Sequence, residues 1–236
     1  MTKISVLVPF GATPDAAGAH RAAVWAYCSR KWERLRDLGA VDEIVVGKDP
    51  LFGKPRPTSS FGGAHPGTHP FSVARALNAA AERAIGEHFL LFGADHIPDM
   101  AAIAWAGHQL RGYAFARIYE RVAYASEAAT RIVLSNLSFP LDATDWNEVS
   151  APCPGVLGVR RSAWDKAGGL DERFGSDWGW EDQDFLTALE RTHQNGLRGT
   201  MGPSGYVLRE LWHEDSRRKV YGTRNHALYQ SKWETP

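Results

Sequence analysis

The chain has 236 residues, 44% of them hydrophobic and 23% charged, with 27 basic and 27 acidic side chains and no formal net charge. This is the composition of a folded globular protein with a real core, and it excludes wholesale disorder. A chain without excess positive charge also lacks the broad field that drives non-specific phosphate binding, so nucleic acid is not the default partner. Its two cysteines, Cys28 and Cys153, stand in no CxxC or zinc-type spacing and read as reduced thiols, which fits a cytoplasmic location. The apolar start from Ile4 to Phe10 is too short for a signal core and is broken by Pro9, and no apolar run is long enough to span a bilayer. A soluble protein without a membrane anchor is expected.

In chain order, Ile4 to Phe10 is a buried first strand ending at proline and glycine. Thr13-Pro14-Asp15 then marks a helix start, with Thr13 as cap, Pro14 in the first turn and Asp15 against the positive end of the dipole. Val24, Tyr27, Cys28, Leu35 and Leu38 follow at helical spacing until Gly39, and Asp42 to Gly47 is the second strand. Strand, helix and strand in this order form a βαβ unit, so the sheet is parallel there and its crevice lies beyond the carboxyl ends of the strands. Asp49 falls in that crevice. Lys48 to Pro70, crowded with Gly, Pro, Ser and Thr, reads either as a long functional loop or as a surface excursion. Phe71 to Glu87 is an alanine-rich helix, and His88 to Phe92 a central strand delivering Gly93-Ala94-Asp95-His96 to the crevice. Asp99 to Leu110 reads as a helix, Tyr113 to Tyr124 as extended, and Ser126 to Ser150 has no clear pattern. A short strand at Val156 to Val159, a short helix at Ala163 to Ala167 and a helix from Asp182 to Asn195 complete the reading.

Three constellations can carry chemistry. Asp95 sits at the end of a rigid strand, where a carboxylate can hold a divalent cation that neutralises a diphosphate leaving group. Alone it reads more readily as a turn or cap residue. His96 beside it is not read as a ligand, because its direction is not fixed by the pattern. The second block is Trp178-Gly179-Trp180-Glu181-Asp182. Acids at a helix start complement the dipole, but two indoles beside them suit a loop over a sugar, with the carboxylates binding hydroxyls. Asp182 is the candidate base that takes the proton of an attacking hydroxyl. The third is His213 within Leu211-Trp212-His213-Glu214-Asp215, followed by Arg217-Arg218-Lys219. A lone histidine is usually structural, but if it converges with Asp95 the pair can hold a manganese-like ion, with diphosphate oxygens and water in the remaining positions.

In order, Val8-Pro9-Phe10, Arg75-Ala76-Leu77-Asn78, Leu91 to Pro98, Pro154-Gly155-Val156, Gly168-Gly169, Trp178 to Asp182 and His213 resemble the beta-1,4-galactosyltransferase group and the related chondroitin-polymerase-type and family 2 glycosyltransferases. The resemblance covers most of the chain. It implies a single α/β domain of the GT-A, Rossmann-like type, with a central, mostly parallel sheet flanked by helices. About residues 1–99 would form the nucleotide-sugar half, and about 100–236 the acceptor and catalytic half. It further implies a UDP-sugar donor, Mn2+ or Mg2+, and inverting transfer of a hexose or N-acetylhexosamine. Metal ligation maps to Asp95 and His213, and the base to Asp182. Sugar contacts map to Glu181 and Trp180, and nucleotide contacts to Pro9, Phe10, Asp49 and Arg75. The sequence departs from the family where the first acid of the usual DxD motif is Gly93, with Asp99 or His96 as the residues able to compensate.

Other readings remain open on the sequence: a retaining GT-A transferase, a non-catalytic sugar-nucleotide or carbohydrate-binding protein, and a nucleotidyltransferase, against which the tryptophan loop argues. The acceptor would be a glycan, a protein, a small molecule or a modified DNA base. Arg160-Arg161 and Arg217-Arg218-Lys219 keep the last in play.

Overall fold

The computed structural model describes residues 2–13, 15–54, 70–119, 121–136, 146–149, 155–174, 179–193, 200–201, 206–212 and 223–233. Ten strands and seven helices are found among them, in the order β1 (Ile4–Pro9), α1 (Ala16–Asp37), β2 (Glu43–Gly47), α2 (Val73–Arg83), β3 (His88–Leu91), β4 (His96–Ile97), α3 (Met100–Gln109), β5 (Phe115–Arg117), β6 (Arg121–Ala125), α4 (Glu127–Ser135), β7 (Trp146–Val149), β8 (Leu157–Arg160), α5 (Arg161–Ala167), α6 (Glu181–Thr192), β9 (Thr200–Met201), β10 (Val207–Glu210) and α7 (Thr223–Trp233).

The larger sheet has the order β2-β1-β3-β8-β5-β9. β1 runs parallel to β2 and β3, and β5 parallel to β9, while β8 alone runs against its neighbours β3 and β5. Five of the six strands therefore point the same way, as expected for a sheet built from βαβ crossovers. Its strands bury both faces, so apolar residues run almost without a break and alternate between two cores. Leu7, Val45, Phe89, Leu91, Phe115, Leu157 and Val159 face α2, α5 and α6. Val6, Val8, Leu90, Phe92, Ala116, Ile118 and Val156 face α1 and α3. Each such Val, Leu, Ile or Phe side chain contributes about 1.5–3 kcal/mol on burial, which makes β1 and β3 the fixed reference of the fold.

A smaller sheet, β4-β10-β6-β7, stands at the carboxyl end of β3. β10 pairs antiparallel with β4 and parallel with β6. The extended stretch expected at Tyr113 to Tyr124 thus divides, β5 joining one sheet and β6 the other. Neither β10 nor α7 is foreshadowed by the sequence pattern, and the unclear stretch after Ser126 contributes α4 and β7.

Helix starts follow side-chain chemistry with one shift. The cap of α1 is Asp15, whose carboxylate accepts from the Gly18 amide at 2.9 Å, while Thr13 donates to that carboxylate at 2.5 Å. Pro14 lies outside the described residues. Ser72 caps α2, and that helix ends at Arg83 rather than Glu87, because residues 84–87 turn away to run beside β1. Asp99 caps α3 by accepting from Ala102 at 2.9 Å, so it is spent locally and does not replace an acid at residue 93.

The two arginines that kept nucleic acid in play are also spent. Arg160 donates to the carbonyls of Leu110, at 2.6 Å, and Arg111. Arg161 donates to the carbonyls of Gly86, at 2.9 Å, and Ala84, and lies 4.5 Å over the Phe89 ring. They close the ends of α3 and α2, where carbonyls lack helical partners. Arg217, Arg218 and Lys219 lie outside the described residues. Cys28 is fully buried, and burial pushes its thiol well above its ordinary value; Cys153 lies outside the described residues. No helix among the described residues is long and apolar enough to cross a membrane.

Arg161→Met should cost about 2–4 kcal/mol in urea unfolding, since carbonyls would lose a charged donor and Phe89 its cation. Arg131→Met, which removes an exposed pair with Glu127, should cost less than about 0.5 kcal/mol. Equal losses would contradict the structural role given to Arg161.

Candidate active site

The carboxyl edge of the large sheet gathers most of the residues singled out in the sequence. Pro9 is level with Gly47 in the β1/β2 register, and the Phe10 amide donates to the Gly47 carbonyl at 3.0 Å. Phe10 packs near Trp25 of α1, ring centroids 6.0 Å apart. Just beyond β2, Asp49 meets Arg75 of α2 in a bidentate pair, Nε to Oδ1 at 2.8 Å and Nη2 to Oδ2 at 2.9 Å. The amides of Leu51 and Ser72 donate to the same carboxylate at 2.9 and 2.8 Å. Burial works to raise the Asp49 carboxyl, but Arg75 and the two amides outweigh it and hold the group below its ordinary value. Both Asp49 oxygens are therefore fully engaged. Its local effect is to fix Arg75 and the ends of the loop after β2.

Beyond β3, Asp95, His96 and Glu210 bring one potential ligand atom each to within 4.8 Å of one another. The β4/β10 pairing sets Glu210 directly opposite His96, and the Leu211 amide donates to the Asp95 carbonyl at 3.0 Å. Trp212 is fixed next: its amide donates to Thr130 Oγ1 at 2.9 Å, and His20 Nε2 lies 3.1 Å from its carbonyl oxygen. His213 follows immediately and lies outside the described residues. Arg21 of α1, hydrogen-bonded to the Gly11 carbonyl at 3.1 Å, brings a positive charge into the field of Asp95. Two hard oxygen donors and an imidazole beside a buried strand end suit a divalent cation of the manganese or magnesium type.

Glu210 is the residue that sequence reasoning missed. The only hint was an acid inside the apolar run from Tyr206 to Trp212, at a position that becomes significant once β10 is known to pair with β4.

Gly93 is tightly flanked. A Cβ there would lie 2.5 Å from Asp95 Oδ1 and 2.9 Å from the His96 ring, so an acid at this position would require the Asp95 carboxylate and the His96 ring to shift.

The second acidic group stands at the start of α6. Its cap, Trp180, takes a left-handed conformation with φ 76°. The three acids that follow divide. Asp184 is buried and bound by Lys232 at 2.9 Å and by the Trp233 indole at 2.6 Å, both from α7, so its role is structural. Asp182 faces Gly155, where a Cβ would lie 3.4 Å from Oδ2. The antiparallel register of β8 on β3, Leu90 opposite Gly158, carries Gly155 toward the end of β3, so Asp182 and Asp95 belong to the same edge. Glu181 has an oxygen with no hydrogen-bond partner among the described residues. Burial first, and the charge of Asp182 second, raise its carboxyl to about 8. At neutral pH Glu181 keeps its proton beside Asp182.

Trp180 stacks on His226 of α7 at 4.3 Å and 22°, with Tyr229 at 5.1 Å. Asn225 donates to the carbonyls of Phe174 and Gly179 at 3.1 and 2.8 Å. Helix α7 thus holds the described half of the tryptophan loop; Trp178 and Pro154 lie outside the described residues.

The fold has counterparts among solved structures. The structure has the GT-A glycosyltransferase fold, shared with solved enzymes at low identity. The catalytic domain of Drosophila beta-1,4-galactosyltransferase 7, in complex with xylobiose, aligns over 100% of this chain and 82% of its own with a TM-score of 0.55 and 14% identity. A variant of that enzyme, bound to manganese, UDP-Gal and xylobiose, aligns over 98% and 80% with a TM-score of 0.55 and 13% identity. Glucosyl-3-phosphoglycerate synthase from Mycobacterium tuberculosis, bound to Mn2+, UDP-glucose and phosphoglyceric acid, aligns over 100% and 81% with a TM-score of 0.52 and 17% identity. No protein-family model matches the chain, and no curated protein matches it in sequence.

Two measurements check the site. Between the ordinary Glu181 value of 4.5 and the raised value of about 8, the folded chain holds a proton that the unfolded chain has released. Stability should therefore fall as pH rises through this window, by about 3–5 kcal/mol, and Glu181→Gln should flatten the slope in urea unfolding at pH 5 and pH 8. An unchanged slope would refute the buried, protonated Glu181. Restoring an acid by Gly93→Asp should weaken Mn2+ affinity in calorimetry, because the new Cβ displaces Asp95 and His96; tighter binding would show that the space exists.

Proposed function

We propose that the protein is a metal-dependent, inverting glycosyltransferase that moves a hexose or N-acetylhexosamine from a UDP-sugar to an acceptor hydroxyl. The observation that carries this reading is the Asp95–Glu210 acidic pair at the end of β3, on the same sheet edge as Asp182, in a GT-A fold. Solved proteins of this fold bind manganese with UDP-Gal, and Mn2+ with UDP-glucose.

In this reading Asp95, Glu210 and His213 hold Mn2+ or Mg2+. The ion, when bound, offsets the charge of the departing diphosphate. Pro9, Phe10, Asp49 and Arg75 surround the nucleotide, with Asp49 acting through Arg75 rather than by direct contact. Asp182 takes the proton from the acceptor hydroxyl as that oxygen attacks the anomeric carbon. Glu181, protonated, donates a hydrogen bond to an acceptor or donor oxygen and adds no second negative charge beside the base. Trp180, steadied by His226 and Tyr229, offers an aromatic face to the sugar. The neutral chain and the structural use of Arg160 and Arg161 favour a carbohydrate, protein or small-molecule acceptor over DNA, and the reading places the enzyme in the cytoplasm.

Thermal shift against a panel of nucleotide sugars with Mn2+ should single out one UDP-sugar, stabilised by mass action and only with metal. Asp95→Ala and His213→Ala should each weaken Mn2+-dependent UDP binding in calorimetry. Asp182→Asn should lower kcat by at least 100-fold with donor affinity nearly unchanged. Full turnover of that variant would remove the base assignment, and product NMR showing a retained anomeric configuration would remove inversion.

A further inference from the structure

The contacts of α7 fall into two groups along its length. Toward its carboxyl end it grips the body of α6. The hydroxyls of Tyr229 and Thr187 lie 3.0 Å apart, Lys232 and the Trp233 indole donate to Asp184, and Arg191 donates to the Trp233 carbonyl at 2.9 Å and lies 4.6 Å over that ring. These contacts dock α7 without help from its first turn. The first turn reaches past α6 to the chain that leads into it.

Asn225 is fully buried there, and its Nδ2 donates to the carbonyls of Phe174, at 3.1 Å, and Gly179, at 2.8 Å. An amide nitrogen carries two hydrogens, so one side chain can serve both carbonyls. The backbone that follows is unusual. Gly179 and Trp180 are both left-handed, with φ 86° and 76°, and Trp180 is the one non-glycine residue with positive φ among the described residues. For a side chain as large as an indole this conformation is unfavourable and persists only where the surroundings impose it. His226, next to Asn225, adds its ring to the Trp180 indole from the same turn of α7.

The left-handed pair sets where α6 begins. Trp180 caps the helix without a side-chain bond, and its carbonyl accepts from the Asp184 amide at 2.8 Å. The Asp182 carboxylate accepts at Oδ1 from the Gln183 amide at 2.7 Å, while Oδ2 faces Gly155. Asp182 is thus aimed by the first turn of α6, and that turn is aimed by Gly179 and Trp180.

We propose that Asn225 is a positioning residue for Asp182: by tying the Phe174 and Gly179 carbonyls to α7 it holds Trp180 left-handed and fixes the direction of the carboxylate, a role that rests on Asp182 being the base of the transfer. A misplacement of about 1 Å at a reacting group can cost about 100-fold in rate. The residues assigned to the nucleotide and the metal stand on other elements, so their binding does not depend on this chain of bonds.

Asn225→Ala should lower kcat at least tenfold and leave Mn2+-dependent UDP affinity within about threefold of wild type. Asn225→Ser, the milder variant, keeps a single donor and should lose at least threefold in kcat. Arg191→Met, which loosens the far end of α7, should lower the unfolding temperature yet keep kcat within about twofold. An unchanged kcat in both Asn225 variants, a matching loss of UDP affinity, or an equal loss of kcat in Arg191→Met would overturn the role. A second arm needs no turnover. Amide hydrogen exchange followed by NMR should show the Asp184 amide, bonded to the Trp180 carbonyl, exchanging at least tenfold faster in Asn225→Ala, with the Leu189 amide inside α6 unchanged. Equal exchange at Asp184 in variant and wild type would also overturn the proposal. If the wild-type protein transfers no sugar from any UDP-sugar, the functional reading fails, while exchange at Asp184 still decides whether Asn225 holds the turn that carries Asp182.

Discussion

The arrangement of the site depends on the rigidity of β3. All four of its residues are buried, it is paired on both sides, and its side chains alternate into the two cores of the large sheet. A strand held so firmly fixes where the chain emerges, and from that point Gly93 to His96 have little choice. Asp95 is tied through its carbonyl to the start of the segment after β10, and His96 is paired with Glu210 across β4 and β10. Two elements more than a hundred residues apart in sequence are thereby locked at one point. Only a rigid edge could keep like charges this close without letting them drift apart into solvent.

The second acidic group shows a different solution to the same difficulty. At the start of α6 three carboxyls fall within one turn, where the helix dipole helps but cannot offset three charges. Asp184 is neutralised by Lys232, whose ammonium also reaches Asp171 at 3.1 Å. Glu181 is driven by burial and by its neighbour to keep its proton. The third acid, Asp182, accepts from the Gln183 amide at 2.7 Å and faces Gly155. Three identical-looking residues become a structural anchor, a neutral donor and a candidate base through environment alone.

The sequence made legible the parts of this edge whose signals are local. The βαβ opening, the cap residues and the apolar run before Gly93 follow from periodicity and side-chain chemistry within a few residues. Asp95 and Asp49 could be placed at the carboxyl edge on that basis, whereas Arg75 was singled out only through the family resemblance. Glu210 could not, because its meaning depends on β10 pairing with β4, a contact between strands of four and two residues that leave almost no periodic trace. Helix α7 was hidden for a similar reason: Asn225, His226, Tyr229, Lys232 and Trp233 make it a clasp through specific polar and ring contacts, not through an apolar stripe. Arg160 and Arg161 were misleading in the opposite sense, since adjacent arginines look like a binding patch until the helix ends they close are known.

Gly93 is where reading by motif and reading by packing diverge most. By motif, glycine in place of an acid is a loss, and it casts doubt on metal binding. By packing, the position is filled already: the Asp95 carboxylate and the His96 ring occupy the space that a Cβ would need, and the Gly93 amide holds that ring in place. Glu210, opposite His96 across β4 and β10, brings a second carboxylate to the centre from the small sheet. Any shift of β10 against β4 would therefore alter the spacing of Asp95, His96 and Glu210 directly.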